Sequence, residues 1–217
     1  MAAGSTGNCY LCGANLGKTA MKNHLLKVHA EDEDGQECCL LKVEVEFDKD
    51  YWLFIDVPVE KTLSAVDKFL RKIWLECCGH MSQFCRRPWD DIIGMQRKVG
   101  DLPVEQKFFY QYDFGDTSEL LISIIGTTKR KKQKEVVRLL ARNAPPVFKC
   151  ADCEKPGEFI CMDMNYERQF YCADCAEGHK DDDFGVLPIT NSPRMGLCAY
   201  DGELDTFTFN PEAFAKA

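Results

Sequence analysis

The stretch "YQYDFGDTSELLISIIG", residues 110–126, admits two readings, and the choice between them decides the fold. Its triplet Asp113-Phe114-Gly115 matches the magnesium-holding segment of a protein kinase, but three residues recur by chance. A kinase also requires a Gly-rich loop over the ATP phosphates, a strand lysine and an H-R-D catalytic loop upstream. The 217-residue chain carries none of them and is too short for a bilobal kinase. In the other reading "YQYDFGD" ends one strand and "TSELLISIIG" begins the next. The triplet then sits in a hairpin turn at Gly115-Asp116, where glycine is free to take positive φ.

The same pattern extends outward. In "CCLLKVEVEF" (38–47), Leu41, Val43, Val45 and Phe47 alternate with Lys42, Glu44 and Glu46, a period of two that predicts a half-buried strand. "DKDYWLFIDVP" reads as its hairpin partner. "TLSAVDKFLRKIWLECC" places Leu63, Val66, Phe69, Leu70, Ile73, Trp74 and Cys77 on one helical face, with Thr62 as N-cap. That helix is expected to cover the sheet. Further strands are expected in "KFFYQYDF", "SELLISIIG" and "EVVRLLARN", the last two pairing across the basic loop between them. The fold class is therefore α+β, a mainly antiparallel sheet covered by helix and flanked by two small zinc-binding modules.

Those modules follow from cysteine spacing. With 13 cysteines, no run of about 18 apolar residues and an N-terminus lacking a secretory pattern, the chain is expected to be cytoplasmic, off the membrane. In such a reducing compartment, paired cysteines ligate metal more often than they form disulfides. Near the N-terminus, "CYLCGANLGKTAMKNHLLKVH" spaces Cys9, Cys12, His24 and His29 so that a thiolate pair and two imidazoles one helical turn apart surround one tetrahedral zinc. The segment resembles the classical two-cysteine, two-histidine zinc finger over residues 9–29, with one residue fewer between Cys12 and His24. Its helix positions for reading bases would be Gly17, Ala20 and Asn23, of which only Asn23 is able to address a base edge. "GKT" within it is no phosphate loop, because only three residues separate Gly13 from Gly17.

In the tail, "CADCEKPGEFICMDMNYERQFYCADC" holds Cys150, Cys153, Cys172 and Cys175 as two C-x-x-C pairs eighteen residues apart, the spacing of a four-cysteine zinc site. Cys161 and His179 stand where a cross-braced module would place ligands for another ion, with Met164 in place of the expected partner and Asp163 and Asp181–Asp183 as oxygen alternatives. Two zinc ions are expected, a third being conceivable. "CCGHMSQFC" groups Cys77, Cys78, His80 and Cys85, but its irregular spacing favours packing over metal.

The segments "TLSAVDKFLRKIW", "GHMSQF", "FFYQYDFGDTSELLISI" and "LPITNSPRMGLCAY" occur in this order along the chain. Through them residues 40–200 resemble the Ri-plasmid open-reading-frame-three-like family, known too as insertion-element passenger TnpR-like proteins. The likeness implies an α+β domain and brings no activity with it. Ser118 and Leu120 stand where that family often has Trp and His. The domains are then the finger at 1–30, an acidic linker at 31–37, the core at 38–142, the four-cysteine module with the NSPRMG segment at 143–200, and a tail at 201–217.

Function divides into two classes. A metal-dependent hydrolase or nuclease would draw on His80, Asp113 and Asp116 around the YDFGD turn, with Arg194 beside them. No paired nucleophile and base is recognisable, and saturated zinc leaves no place for substrate. The preferred reading is a non-catalytic zinc-binding interaction protein, its partner, protein or nucleic acid, undecided. Net charge of −8 opposes nucleic acid on average, whereas the basic loop offers Lys129, Arg130, Lys131 and Lys132 as phosphate contacts. Finally, Arg194 of "NSPRMG" is expected to pair with the acidic rim of the turn, through Asp116.

Overall fold

The computed structural model describes residues 5–29, 35–162, 167–180 and 185–214. The hydrophobic alternation read above becomes one nine-stranded antiparallel sheet. In chain order its strands are β1 (Thr6–Cys9), β2 (Asn15–Gly17), β3 (Gln36–Val45), β4 (Trp52–Pro58), β5 (Ser82–Arg87), β6 (Asp90–Ile93), β7 (Lys107–Tyr112), β8 (Ser118–Arg130) and β9 (Arg138–Asn143). Across the sheet they run β2-β1-β9-β4-β3-β8-β7-β5-β6. The tail forms a second sheet, β11-β10-β12, from β10 (Phe159–Met162), β11 (Arg168–Tyr171) and β12 (Val186–Pro188).

The 110–126 stretch is the β7–β8 hairpin, with Tyr112 opposite Ser118. Its positive φ falls on Asp113, at 64°, rather than on Gly115, because Asp113 Oδ1 accepts the Gly115 amide at 3.0 Å and closes the turn locally. The pairing expected between β8 and β9 does not form. β3 and β4 lie between them, and β9 pairs with β4 and β1. The basic segment belongs in part to β8, where Lys129 faces Glu37 of β3.

Helix α2 (Leu63–Leu70) covers one face as expected, and its last turn, Arg71–Leu75, widens so that the Glu76 amide bonds the Arg71 carbonyl. Leu63, Val66, Phe69, Leu70, Ile73 and Trp74 bury against Leu41, Val43, Leu53 and Ile55. Thr62 occupies the N-cap position without a side-chain cap, since the Leu63 and Ser64 amides already donate to the carbonyls of Arg97 and Met95. The chain leaves the helix before Cys77, and β3 ends before Phe47, which is 89% exposed.

The finger is not a separate module. Its hairpin β1–β2 continues the central sheet, and its helix α1 (Lys18–Val28) lies on the face opposite α2. There Met21 and Leu25 bury with Leu40, Trp52, Phe54, Leu140 and Ala141. Two glycines permit the approach: a Cβ on Gly7 would lie 2.1 Å from the Arg142 carbonyl oxygen, and one on Gly126 would meet Leu26 at 2.9 Å. Lys18 reaches across to Glu44 at 2.6 Å. Of the acidic linker, residues 31–34 lie outside the described ones and Gln36 and Glu37 already belong to β3.

The C-terminal segment folds back over the core. The Ser192 hydroxyl donates to the Trp74 carbonyl, Arg142 pairs with Asp205 at 2.6 Å, and Phe207 packs on Phe69 with ring centroids 5.2 Å apart. Among the described residues, no helix is long and apolar enough to cross a membrane.

Candidate metal centres

A divalent ion held tetrahedrally by sulfur at about 2.3 Å and nitrogen at about 2.0 Å sets its ligand atoms about 3.8 Å (S···S), 3.5 Å (S···N) and 3.3 Å (N···N) apart. Among the described residues, three clusters of four Cys and His side chains meet this scale, the candidate ligand atoms of each lying within 4.8 Å of one another.

The first is Cys9, Cys12, His24 and His29. Cys9 ends β1 and the chain turns back at Gly13, whose amide donates to the Cys9 carbonyl at 2.9 Å with φ of 80°. His24 lies on α1 and His29 caps it. Cys9 Sγ lies 3.7 Å from His29 Nε2, Cys12 Sγ 3.2 Å from His24 Nε2, and the two imidazole Nε2 atoms 3.1 Å apart. Burial, with the His24 and Arg138 charges, pulls His29 below the ordinary histidine value, toward the neutral form that binds metal. Ala20 and Asn23 are exposed on the outer side of α1, while Gly17 is its N-cap.

The second is Cys150, Cys153, Cys172 and Cys175. Cys153 Sγ is 3.8 Å from both Cys172 and Cys175. Cys172 precedes the short helix α3 (Ala173–Ala176), which carries Cys175. Burial works against ionisation of Cys150, but the amides of Cys172, Asp152 and Cys153 outweigh it and bring the thiol down to about 6. Amides directed at a sulfur in this way stabilise the thiolate that a metal needs. Nearby, Cys161 is buried in β10, and His179 stacks on Tyr171 at 3.8 Å and meets Asp152 at 3.1 Å. The oxygen ligands considered beside them, Asp163 and Asp181–Asp183, and Met164 lie outside the described residues.

The third cluster is Cys77, Cys78, His80 and Cys198. His80 Nε2 lies 3.1 Å from Cys78 Sγ and 3.2 Å from Cys198 Sγ, and the two sulfurs are 3.6 Å apart. Three members of "CCGHMSQFC" thus converge on Cys198, while Cys77 also packs against the core as expected. Cys85 stays out: it is buried in β5, its thiol directed to Gln111 Oε1 at 3.6 Å. Cys198 replaces it from 118 residues beyond His80, a separation at which spacing gives no signal.

Around the YDFGD turn, Arg194 is fully buried and donates to Asp113 Oδ2 at 2.5 Å, to the Asp116 carbonyl at 2.6 Å and to Ser118 Oγ at 3.2 Å. The expected Arg194 contact exists, but its carboxylate partner is Asp113, and Asp116 contributes only its backbone. Burial would raise the Asp113 carboxyl; the Arg194 hydrogen bond, the Gly115 amide and the charges of Arg194 and His80 hold it below the usual carboxylate value. Of the three catalytic candidates, His80 and Asp113 come together at 3.3 Å, whereas the Asp116 side chain points to solvent. Asp113 is thus occupied in holding a buried cation.

The basic loop divides likewise. Lys129, Lys131 and Lys132 are exposed, whereas Arg130 is 2% exposed and paired with the buried Asp56 at 2.8 Å, which removes it from any phosphate contact.

No protein-family model matches the sequence, and no curated protein does. Among solved structures, a protein of unknown function, MM3350 from Methanosarcina mazei Go1, aligns over 50% of this chain and 70% of its own, with 19% identity and a TM-score of 0.43.

Proposed function

We propose that this chain is a zinc-scaffolded binding protein without a catalytic role, acting in the reducing cytoplasm. The observation that carries the reading is ligand saturation. The Cys9 and Cys150 centres each present four protein donors, which leaves a bound zinc no open position for water or substrate. Zinc there would supply folding energy, fixing β1–β2 and α1 at one end and the tail sheet at the other. The resemblance to the Ri-plasmid family is in keeping with this reading and adds no chemistry to it.

The partner we favour is a protein. Trp89 and Phe114 meet edge to face at 5.3 Å while remaining 53% and 40% exposed, and Trp89 with the exposed Phe47 lines a cleft of about 370 Å³ that Leu120 and Leu197 also line. Exposed aromatic groups of this kind are what protein interfaces bury. The nucleic-acid alternative rests on Lys129, Lys131 and Lys132 alone, against a net charge of −8.

Two experiments test the reading. A photoreactive residue in place of Trp89 is expected to give discrete protein adducts in cells that the same group in place of the exposed Val147 does not give. Labelled duplex and single-stranded oligonucleotides titrated at low and high salt are expected to show no salt-steep binding. A steep slope that flattens in Lys131→Ala and Lys132→Ala would establish nucleic acid as the partner instead. Phosphodiester turnover abolished by Asp113→Asn would establish the hydrolase.

A further inference from the structure

We infer that Cys77, Cys78, His80 and Cys198 form a third metal site, for zinc, that clasps the C-terminal segment to the core domain. The inference is independent of the binding role proposed above. Its S···S separation of 3.6 Å and S···N separations of 3.1 and 3.2 Å lie close to, and slightly shorter than, those of the other two clusters, 3.8 Å for S···S and 3.2–3.7 Å for S···N. Three thiolates and one imidazole suit zinc above harder ions, which prefer oxygen.

The backbone around the site is turned to deliver these atoms. Gly79, between Cys78 and His80, has φ of 86°, while Cys198 and Ala199 take φ of 48° and 54°, left-handed values that residues with a Cβ adopt only at a cost. Two adjacent non-glycine residues held this way need a compensating interaction, and ligation by Cys198 supplies one. The Cys77 amide donates to the Tyr112 hydroxyl at 3.4 Å, which fixes the first ligand against the core.

Charge also fits. Three thiolates and a neutral imidazole around a divalent ion leave a net charge of −1, and the buried Arg194 guanidinium, which also pairs with Asp113, lies 3.6 Å from Cys77 Sγ and offsets part of it. His80 Nε2 faces both the cluster and Asp113. With its lone pair committed to the ion, it leaves the Asp113 carboxylate to Arg194. The clasp closes a loop of 118 residues between His80 and Cys198, a long-range cross-link where chain entropy makes cross-links most effective. Cys78 and Cys198 are both exposed, whereas the Cys9 centre has one exposed cysteine, Cys12, and the Cys150 centre none, so this ion should exchange fastest of the three.

The test is elemental analysis of the full chain purified under reducing conditions. The wild type should hold three zinc ions per chain, Cys198→Ser and Cys78→Ser two each, and Cys85→Ser three. Cys12→Ser and Cys175→Ser measured alongside report the other two centres, so that a shortfall there is not mistaken for one here. A chromophoric chelator should draw one fast equivalent from the wild type, and that equivalent should be missing from Cys198→Ser. Should Cys198→Ser fail to fold, Cys78→Ser carries the test, because Cys78 is exposed in a loop. Equal zinc in the wild type and both serine variants would overturn the inference, as would a Cys78–Cys198 disulfide in the protein as purified.

Discussion

Replacing Arg194 by methionine keeps much of its volume while deleting its charge and its donors. The side chain is fully buried, stacks over Tyr112 at 5.2 Å and donates to Asp113, the Asp116 carbonyl and Ser118. Its loss leaves the Asp113 carboxylate, itself 5% exposed, with the Gly115 amide and the neighbouring His80 ring as its remaining polar contacts. Removing one member of a buried pair costs roughly 3–5 kcal/mol. The Gly115 amide and the position of Asp113 at a turn place this case near the lower end, about 3 kcal/mol, or roughly a 150-fold fall in the folded-to-unfolded ratio. Asp113→Asn keeps the acceptor for Gly115 and should cost less, about 2 kcal/mol. The double variant should fall short of the sum by about 1 kcal/mol or more. Urea unfolding reports this through Trp52 and Trp74, which are buried on opposite faces of the sheet. With a slope of roughly 3 kcal/mol per molar urea for a chain of this size, the Arg194→Met midpoint should drop by about 1 M. Zinc must be buffered and its content measured for each variant, since bound metal shifts apparent stability. An unchanged midpoint, or losses that add within about 0.5 kcal/mol in the double variant, would refute the coupling.

Two further outcomes follow from the placement of the finger. Because β1 is hydrogen-bonded to β9 and α1 covers Trp52 and Phe54, Cys12→Ser should raise amide exchange not only within residues 6–29 but also across Leu139–Asn143, whereas protection confined to change within the finger would show an independent module. Glu44 is buried, and although burial opposes its ionisation, hydrogen bonds from Lys18 and Lys42 hold its carboxyl below the usual value. A folded value below the unfolded one contributes stability that is present above the ordinary carboxylate range and is lost as pH falls through the folded value. Glu44→Gln should therefore be less stable than the wild type by about 1 kcal/mol at pH 7, a gap that closes in acid; a gap independent of pH would show that the charge plays no part.

Much of the chemistry was legible because it is local. The eight Cys and His side chains of the Cys9 and Cys150 clusters lie in short segments whose spacing is itself the signal, and the period-two run in β3 shows that Leu41, Val43 and Val45 share one face. Arg194 was legible in part: its charge pointed to the YDFGD turn, but only packing selects Asp113 over Asp116. Arg130 misleads in the sequence, since a run of basic residues looks uniformly solvated until one of them meets the buried Asp56.

The sequence by itself determined the clusters able to bind metal at Cys9 and Cys150, the hairpin at 110–126 and the α+β class, because each depends on neighbours within a few residues or one turn of chain. The tertiary structure alone decided that the finger's hairpin extends the central sheet, that β9 bypasses β8, and that Cys198 joins Cys77, Cys78 and His80. Those outcomes depend on which distant surfaces bury each other. The free energy of burying Met21, Leu25, Trp52 and Phe54 together belongs to no single segment, and no local pattern records it.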